Sequence, residues 1–305
     1  MSSCNITILD GGMGRELERR GAPFQQPEWS ALAMIEAPNI VKEVHKDFIR
    51  SGARVITTNS YALVPFHIGE TRFAEQGKTL AQSAAREARA AVQESGENVL
   101  VAGSIPPLFG SYRADLYQAD KVIDIATPLV EALSADIDLW LCETQSLIAE
   151  ASSIKTIIDQ HNPQNKPVWL SFTLEDSEQT ETPLLRSGET VAEAVTTMAR
   201  AGVSAILFNC SQPETIADAI VVARKTLDDL ELTDIQIGAY ANAFPPQPKD
   251  ATANDGLDEL RADLTPQSYL EWAKQWQSQG ASLIGGCCGI GPEHIAQLST
   301  HLTSA

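Results

Sequence analysis

The chain of 305 residues is poor in cysteine, poor in aromatics and short of positive charge. Its five cysteines, at positions 4, 142, 210, 287 and 288, are few and odd in number, which speaks against a secreted disulfide framework. In a reducing compartment such thiols stay free for metal binding or chemistry. Lys and Arg number 22 against 40 Asp and Glu, a net charge of -18, so there is no basic stripe to neutralise phosphates and nucleic acid is not an expected partner. No apolar run approaches the roughly 20 residues of a membrane span, and the start "MSSCNITILDGG" lacks the flanks of a signal peptide. These absences predict a cytoplasmic protein with no membrane partner. With 43% apolar residues and 6% aromatics the chain still has ample material for one large core or two ordinary domains. It contains no Ser/Gly linker, low-complexity tract or composition break, so one domain over 1–305 is the expectation.

What is present is an alternation of short β-rich runs with longer amphipathic ones, the pattern of a parallel sheet covered by helices. Eight strands are expected: 5–12, 53–61, 98–107, 138–144, 167–174, 205–211, 235–243 and 282–289. Each is nearly continuous in apolar residues, as strands buried on both faces should be. Between them lie helical patterns such as 79–94, rich in Ala, and 188–202, which ends on Gly202. "SGA", "AGV" and "QGA" precede three of the strands. Eight βα units in about 300 residues is the rhythm of an α/β TIM barrel, a (βα)8 fold whose active site gathers at the carboxyl ends of its strands. Those ends supply Asp10, Asn59 with Tyr61, Ser104, Glu143, Thr173, Asn209 with Cys210, Asn242, and the adjacent pair Cys287 and Cys288. Two long loops, 175–188 and 244–263, open on the same face and suit a lid or substrate cover.

"LIGGCCGI" (283–290) places two sulfurs side by side, and adjacent strand residues point to opposite faces, so one surface cannot use both as filler. A disulfide between neighbours would be strained. Strands six and eight share one half of a barrel, so Cys210 can converge on this pair. Three thiolates with an open fourth position is the arrangement of a catalytic zinc, and Gly285, Gly286 and Gly289 allow the sharp turn it needs. The alternative is that the two cysteines are small buried residues and that Gly285 and Gly286 form a phosphate-binding turn. Against phosphate, no Lys or Arg stands at a strand end, and the face reads as acidic and polar. Asp10 and Glu143 share the cavity and can bind an ammonium group or act as an acid/base pair, although Asp10 also suits a turn and Glu143 a helix cap. Cys142 should face the helices, Cys4 is incidental, and His45 and His294 are expected to be packing or surface residues of helices.

The residues resemble the homocysteine S-methyltransferases, the family of betaine, S-methylmethionine and thetin dependent enzymes and of the homocysteine half of cobalamin-dependent methionine synthase. "LDGGMGREL" (9–17), "HKDFIRSGARVITTNSYA" (45–62), "CETQS" (142–146), "LFNCS" (207–211), "YANA" (240–243) and "GASLIGGCCGIGPEHI" (280–295) carry the resemblance over nearly the whole chain. It implies Zn2+ on Cys210, Cys287 and Cys288. It implies a homocysteine ammonium held by Asp10 and Glu143, backbone near Gly11 and Gly12 lining the pocket, and Asn242 near the zinc face. Small-molecule partners follow, homocysteine and a methyl donor, in methionine biosynthesis; self-association as a homo-oligomer is left open. Two departures matter. Thr144 stands where betaine enzymes have a tyrosine able to touch zinc, and the donor loops lack the aromatic cluster of a betaine site, leaving Trp29, Tyr61, Phe66, Phe109 and Tyr112 as candidate cation-binding rings. S-methylmethionine is therefore ranked first as donor, ahead of betaine, a thetin or S-adenosylmethionine; a non-catalytic zinc or thiol sensor and a phosphate-binding lyase are the competing readings.

Overall fold

A computed structural model describes residues 6–178, 182–249, 251 and 259–303. Cys4 and parts of the two long loops lie outside them. Eight parallel strands, β1 (Thr7–Ile8), β2 (Val55–Thr57), β3 (Leu100–Ile105), β4 (Leu139–Gln145), β5 (Val168–Phe172), β6 (Ala205–Asn209), β7 (Gln236–Tyr240) and β8 (Leu283–Ile284), pair in the order β1-β8-β7-β6-β5-β4-β3-β2. The ring closes where Arg54 N–H donates to Ile8 O at 2.7 Å and Asp10 N–H to Val55 O at 3.0 Å. This is the expected (βα)8 barrel. All eight expected strands are found; β4 is shifted by one residue and the other seven are trimmed, β1 and β8 to two residues each, because the glycines and the Cys pair beyond them bend the chain out of the ladder.

Period-two alternation sorts the strand side chains. Leu9, Val55, Leu139, Leu141, Leu207, Tyr240 and Leu283 fill the barrel interior. Their neighbours Ile8, Ile56, Trp140, Cys142, Ile206 and Phe208 pack outward against the helices. Cys142 thus sits in the outer core, fully buried. The inward register of Leu141 and Leu207, carried two residues further, brings Glu143 and Asn209 to the carboxyl end of the barrel.

The helices follow from equally local rules. Helix Lys78–Ser95 buries Ala81, Ala84, Ala85, Ala88 and Ala91, a stripe at spacings of three and four, and stops at Gly96 in the left-handed region, φ 69°. Helix Val191–Arg200 starts three residues later than the pattern predicts. Thr190 caps it by accepting from Glu193 N–H at 3.2 Å while the Glu193 carboxylate accepts from Thr190 N–H at 3.0 Å, a reciprocal pairing that fixes the first turn. His45, on helix Pro38–Arg50, is fully buried. His294 is structural: it donates to Leu264 O at 3.0 Å and accepts from Gly291 N–H at 3.3 Å. No helix among the described residues is long and apolar enough to cross a membrane.

Candidate active site

The three thiols meet because the backbone leaves regular structure at two places. Cys210 follows β6 with φ at +52°, a left-handed conformation that costs a non-glycine residue about 1 kcal/mol or more. It turns the sulfur to within 2.9 Å of Cys287 Sγ. After β8 the chain is irregular, so the strand rule that separates neighbouring side chains no longer applies to Cys287 and Cys288. Cys287 N–H donates to Ala241 O at 2.9 Å and Cys288 O accepts from Ala243 N–H at 2.8 Å, which fastens the pair to the segment after β7. Glycine is required opposite this turn. A Cβ on Gly12 would stand 2.5 Å from Cys287 O, and one on Gly11 would stand 2.2 Å from Ile290 O.

The three sulfurs all lie within 4.8 Å of one another and none is in a disulfide. A metal ion with thiolate bonds of about 2.3 Å in tetrahedral geometry spaces its sulfurs at about 3.8 Å, so the cluster fits one ion with a fourth position open. Within the buried cluster, hydrogen bonds from Cys210 and Cys287 pull the Cys288 thiol well below its ordinary range, and the nearby charge of Arg15 assists against the cost of burial.

The opposite wall carries the carboxylates. Asp10, at the end of β1, accepts from Thr57 N–H at 2.7 Å and from Thr57 Oγ1 at 3.2 Å. Glu143, on β4, accepts from Ser104 Oγ at 2.5 Å and from Tyr240 OH at 3.5 Å. Burial pushes each up to about 7, and for Asp10 the neighbouring Glu143 adds to the rise. Two buried carboxylates with no cation between them are poised to take up a positive group, which would restore their charge. Asn209 braces this wall from β6 by donating through Nδ2 to Thr144 Oγ1 at 2.8 Å and accepting from Thr144 N–H at 3.0 Å and Ser171 Oγ at 2.7 Å.

Thiols and carboxylates line one cavity of about 220 Å³, together with Gly11, Gly12, Arg15, Phe24, Trp29, Tyr61, His67, Tyr112, Tyr240 and Phe244 among others. Of the five rings proposed from sequence, Trp29, Tyr61 and Tyr112 reach it. Phe66 and Phe109 pack elsewhere, against His67 and Tyr117 respectively. Asn242 does not line the cavity: its side chain is fully buried, and both amide atoms lack a hydrogen-bond partner. Gly12 lines the wall, but its N–H is committed to Ile290 O at 2.9 Å.

One expectation is corrected. The face is not purely acidic and polar, because Arg15 lines the cavity and Arg186 lies buried at its rim. Neither stands at a strand end, which is where basic residues were sought. Arg186 donates to Asp176 at 2.8 Å and to Gln247 O and Pro248 O, at 3.2 and 3.0 Å, and its guanidinium lies 5.0 Å from the Tyr112 ring centre. Asp176 in turn accepts from Gln212 N–H at 3.0 Å. The two long loops predicted to open on this face are therefore joined to each other, and to the segment after β6, through one buried ion pair. Across the cavity His67 Nδ1 donates to Pro27 O at 3.1 Å, and Phe24 packs edge-on to Trp29 at 5.5 Å.

A closed barrel with thiols and carboxylates gathered at the carboxyl ends of its strands is an enzyme of the metal-competent (βα)8 class. The model of the homocysteine S-methyltransferase family matches residues 7–302. A homocysteine S-methyltransferase of Escherichia coli (strain K12) is 33% identical, over 96% of this chain and 94% of its own length. A selenocysteine methyltransferase of Astragalus bisulcatus is 26% identical, over 97% and 92%. The crystal structure of the homocysteine methyltransferase MmuM from Escherichia coli, in its metallated form, matches with a TM-score of 0.75 at 30% identity, covering 97% of this chain and 96% of that one. The chain belongs to the homocysteine S-methyltransferase family.

Proposed function

We propose that this protein transfers a methyl group from a small cationic donor to the thiol of homocysteine, giving methionine, with Zn2+ held by Cys210, Cys287 and Cys288. The observation that carries the reading is the convergence of three free thiols and two buried carboxylates on one cavity. Three soft sulfur donors favour zinc over magnesium or calcium. Zinc, when bound, lowers the pKa of a substrate thiol and so makes it nucleophilic at neutral pH.

The remaining work falls to the chain's own residues. Asp10 and Glu143 take the homocysteine ammonium, which draws both carboxylates into their charged form. Gly11 and Gly12 shape the wall beside it. Trp29, Tyr61 and Tyr112 offer ring faces that suit an onium cation. In the transfer, the bond between the methyl carbon and the donor's sulfur breaks as the bond to the homocysteine sulfur forms, and the homocysteine thiol proton is lost. A sulfonium leaves as a neutral thioether, and opposite charges cancel in the process, so an enclosed site that excludes water favours it. S-methylmethionine is ranked first among donors because a sulfonium methyl transfers more readily than an ammonium methyl, and because Thr144 removes one reason to prefer betaine.

Metal analysis of the reduced protein and an assay of homocysteine with each donor test this directly. One zinc per chain and turnover with a sulfonium donor are expected. Absence of zinc, with no methyl transfer after zinc is added, overturns the reading. Turnover with betaine and none with any sulfonium overturns only the donor ranking. Binding of homocysteine with no methylation by any donor points instead to a sensor.

A further inference from the structure

Arg15 has no contact with substrate in the chemistry described so far. It lies on helix Met13–Arg19, directly after the glycines that fit against the Cys287 turn, and it lines the same cavity as Asp10, Glu143, Cys287 and Cys288. It is the one permanently charged cation among the lining residues, where it stands against two carboxylates and three thiols. Its side chain is 26% exposed and pairs with Glu18 at 3.0 Å, itself 45% exposed. An ion pair partly open to solvent contributes little. Arg15 therefore joins the solvent-facing Glu18 to a cavity whose other charged and metal-competent groups are Asp10, Glu143 and the three thiols.

Resting on the proposed function, we infer that Arg15 is the carboxylate anchor of this cavity and that the substrate it selects is an amino acid or betaine-like acid rather than a simple thiol or onium ion. An amino acid thiol presents an ammonium and a carboxylate on the same carbon. Asp10 and Glu143 can satisfy only the ammonium. The carboxylate needs donors, and the Gly12 N–H is already used by Ile290 O. The planar fork of Arg15 meets a carboxylate with two parallel N–H bonds, a geometry an ammonium head does not reproduce. The carboxylate can come from homocysteine or from the methyl donor, and each source has its own comparison.

The test measures binding by calorimetry on zinc-loaded wild type, Arg15→Met and Arg15→Lys, with unfolding midpoints confirming that each variant is folded. The first arm compares L-homocysteine with 3-aminopropane-1-thiol, its analogue without the carboxylate. The second compares S-methylmethionine with trimethylsulfonium. In the arm that holds the true source, wild type should prefer the carboxylated ligand by about 10- to 100-fold, the range for a charge-assisted contact. Arg15→Met should reduce that preference to less than about 3-fold, chiefly by weakening the carboxylated ligand. Arg15→Lys should retain part of it. Preferences in both arms that survive Arg15→Met overturn the inference and leave Arg15 as a charge that balances the thiols, with the methyltransferase reading intact. If wild type binds neither thiol, the homocysteine reading falls, and the inference with it.

Discussion

The thiol half and the carboxylate half of the cavity are built by opposite means. On the thiol side the positions are set by backbone that leaves regular structure: Cys210 in a left-handed conformation, and a Cys287–Cys288 turn seated against two glycines. On the carboxylate side Glu143 follows the inward alternation of Leu139 and Leu141 on β4, Asp10 stands two residues past β1, and hydrogen bonds from Thr57 and Ser104 aim the two. Backbone irregularity suits a cluster that must hold one geometry around a single ion. Regular strands with side-chain donors suit a pair that must change charge as a substrate arrives. The first half should therefore fail all at once, and the second by degrees.

The largest effect is expected from Cys210→Ala, which removes one of three sulfurs. Zinc content should fall to near zero, and kcat/KM should fall by at least about 10³-fold, because both substrate thiol activation and its placement depend on the ion. A variant that retained stoichiometric zinc would break the comparison. Next comes Glu143→Gln, with the shape kept and the charge lost. The KM for homocysteine should rise by about 30-fold or more, the scale for one buried charge-assisted contact, with zinc content unchanged. Loss of zinc in this variant would merge the two halves that the structure separates.

A smaller effect concerns pH. Asp10 and Glu143 are held up to about 7 by burial, so both carry protons below that pH and must lose them to receive an ammonium. The KM for homocysteine should fall as pH rises from about 6 to 8, and a profile flat across that window would contradict the assignment. Ser104→Ala takes away a donor that lowers Glu143, so this transition should move to higher pH and the KM at pH 7 should rise by roughly 3- to 10-fold. The smallest change is expected for Tyr240→Phe, whose hydroxyl stands a long 3.5 Å from Glu143: a KM within about 3-fold of wild type.

The same contrast explains what the sequence made legible. Strand register is a period-two signal, so Glu143 and the barrel follow from apolar runs, and Asp10 from its place just beyond the first of them. The pairing of Cys210 with Cys287 and Cys288 followed from the order of strands around a closed ring. Arg15 and Arg186 did not. Both are long side chains that start away from strand ends, and where they reach depends on loop paths that no periodicity encodes. Tyr240 carried the right signal, two residues before Asn242 and at the end of its own strand, but its neighbour drew the assignment instead. Asn242 is the reverse case: it stands just past the end of β7, yet the turn there buries its side chain instead of exposing it to the cavity. The exact strand ends were hidden for the same reason as the thiol geometry, since glycine permits departures from the ladder without dictating their direction.

The fit of Gly11 and Gly12 against Ile290 and Cys287 also orders events in time. Ribosomes make proteins from the amino end, so Asp10 and Cys210 emerge while the turn that completes the cluster is still unmade. Until the last strand inserts between the first and the seventh, the cluster has only one of its three sulfurs, that of Cys210 after β6. On the proposed function, zinc capture would wait until the barrel has closed, and a chain that stalls or is cut before Cys287 would present one ligand of the three.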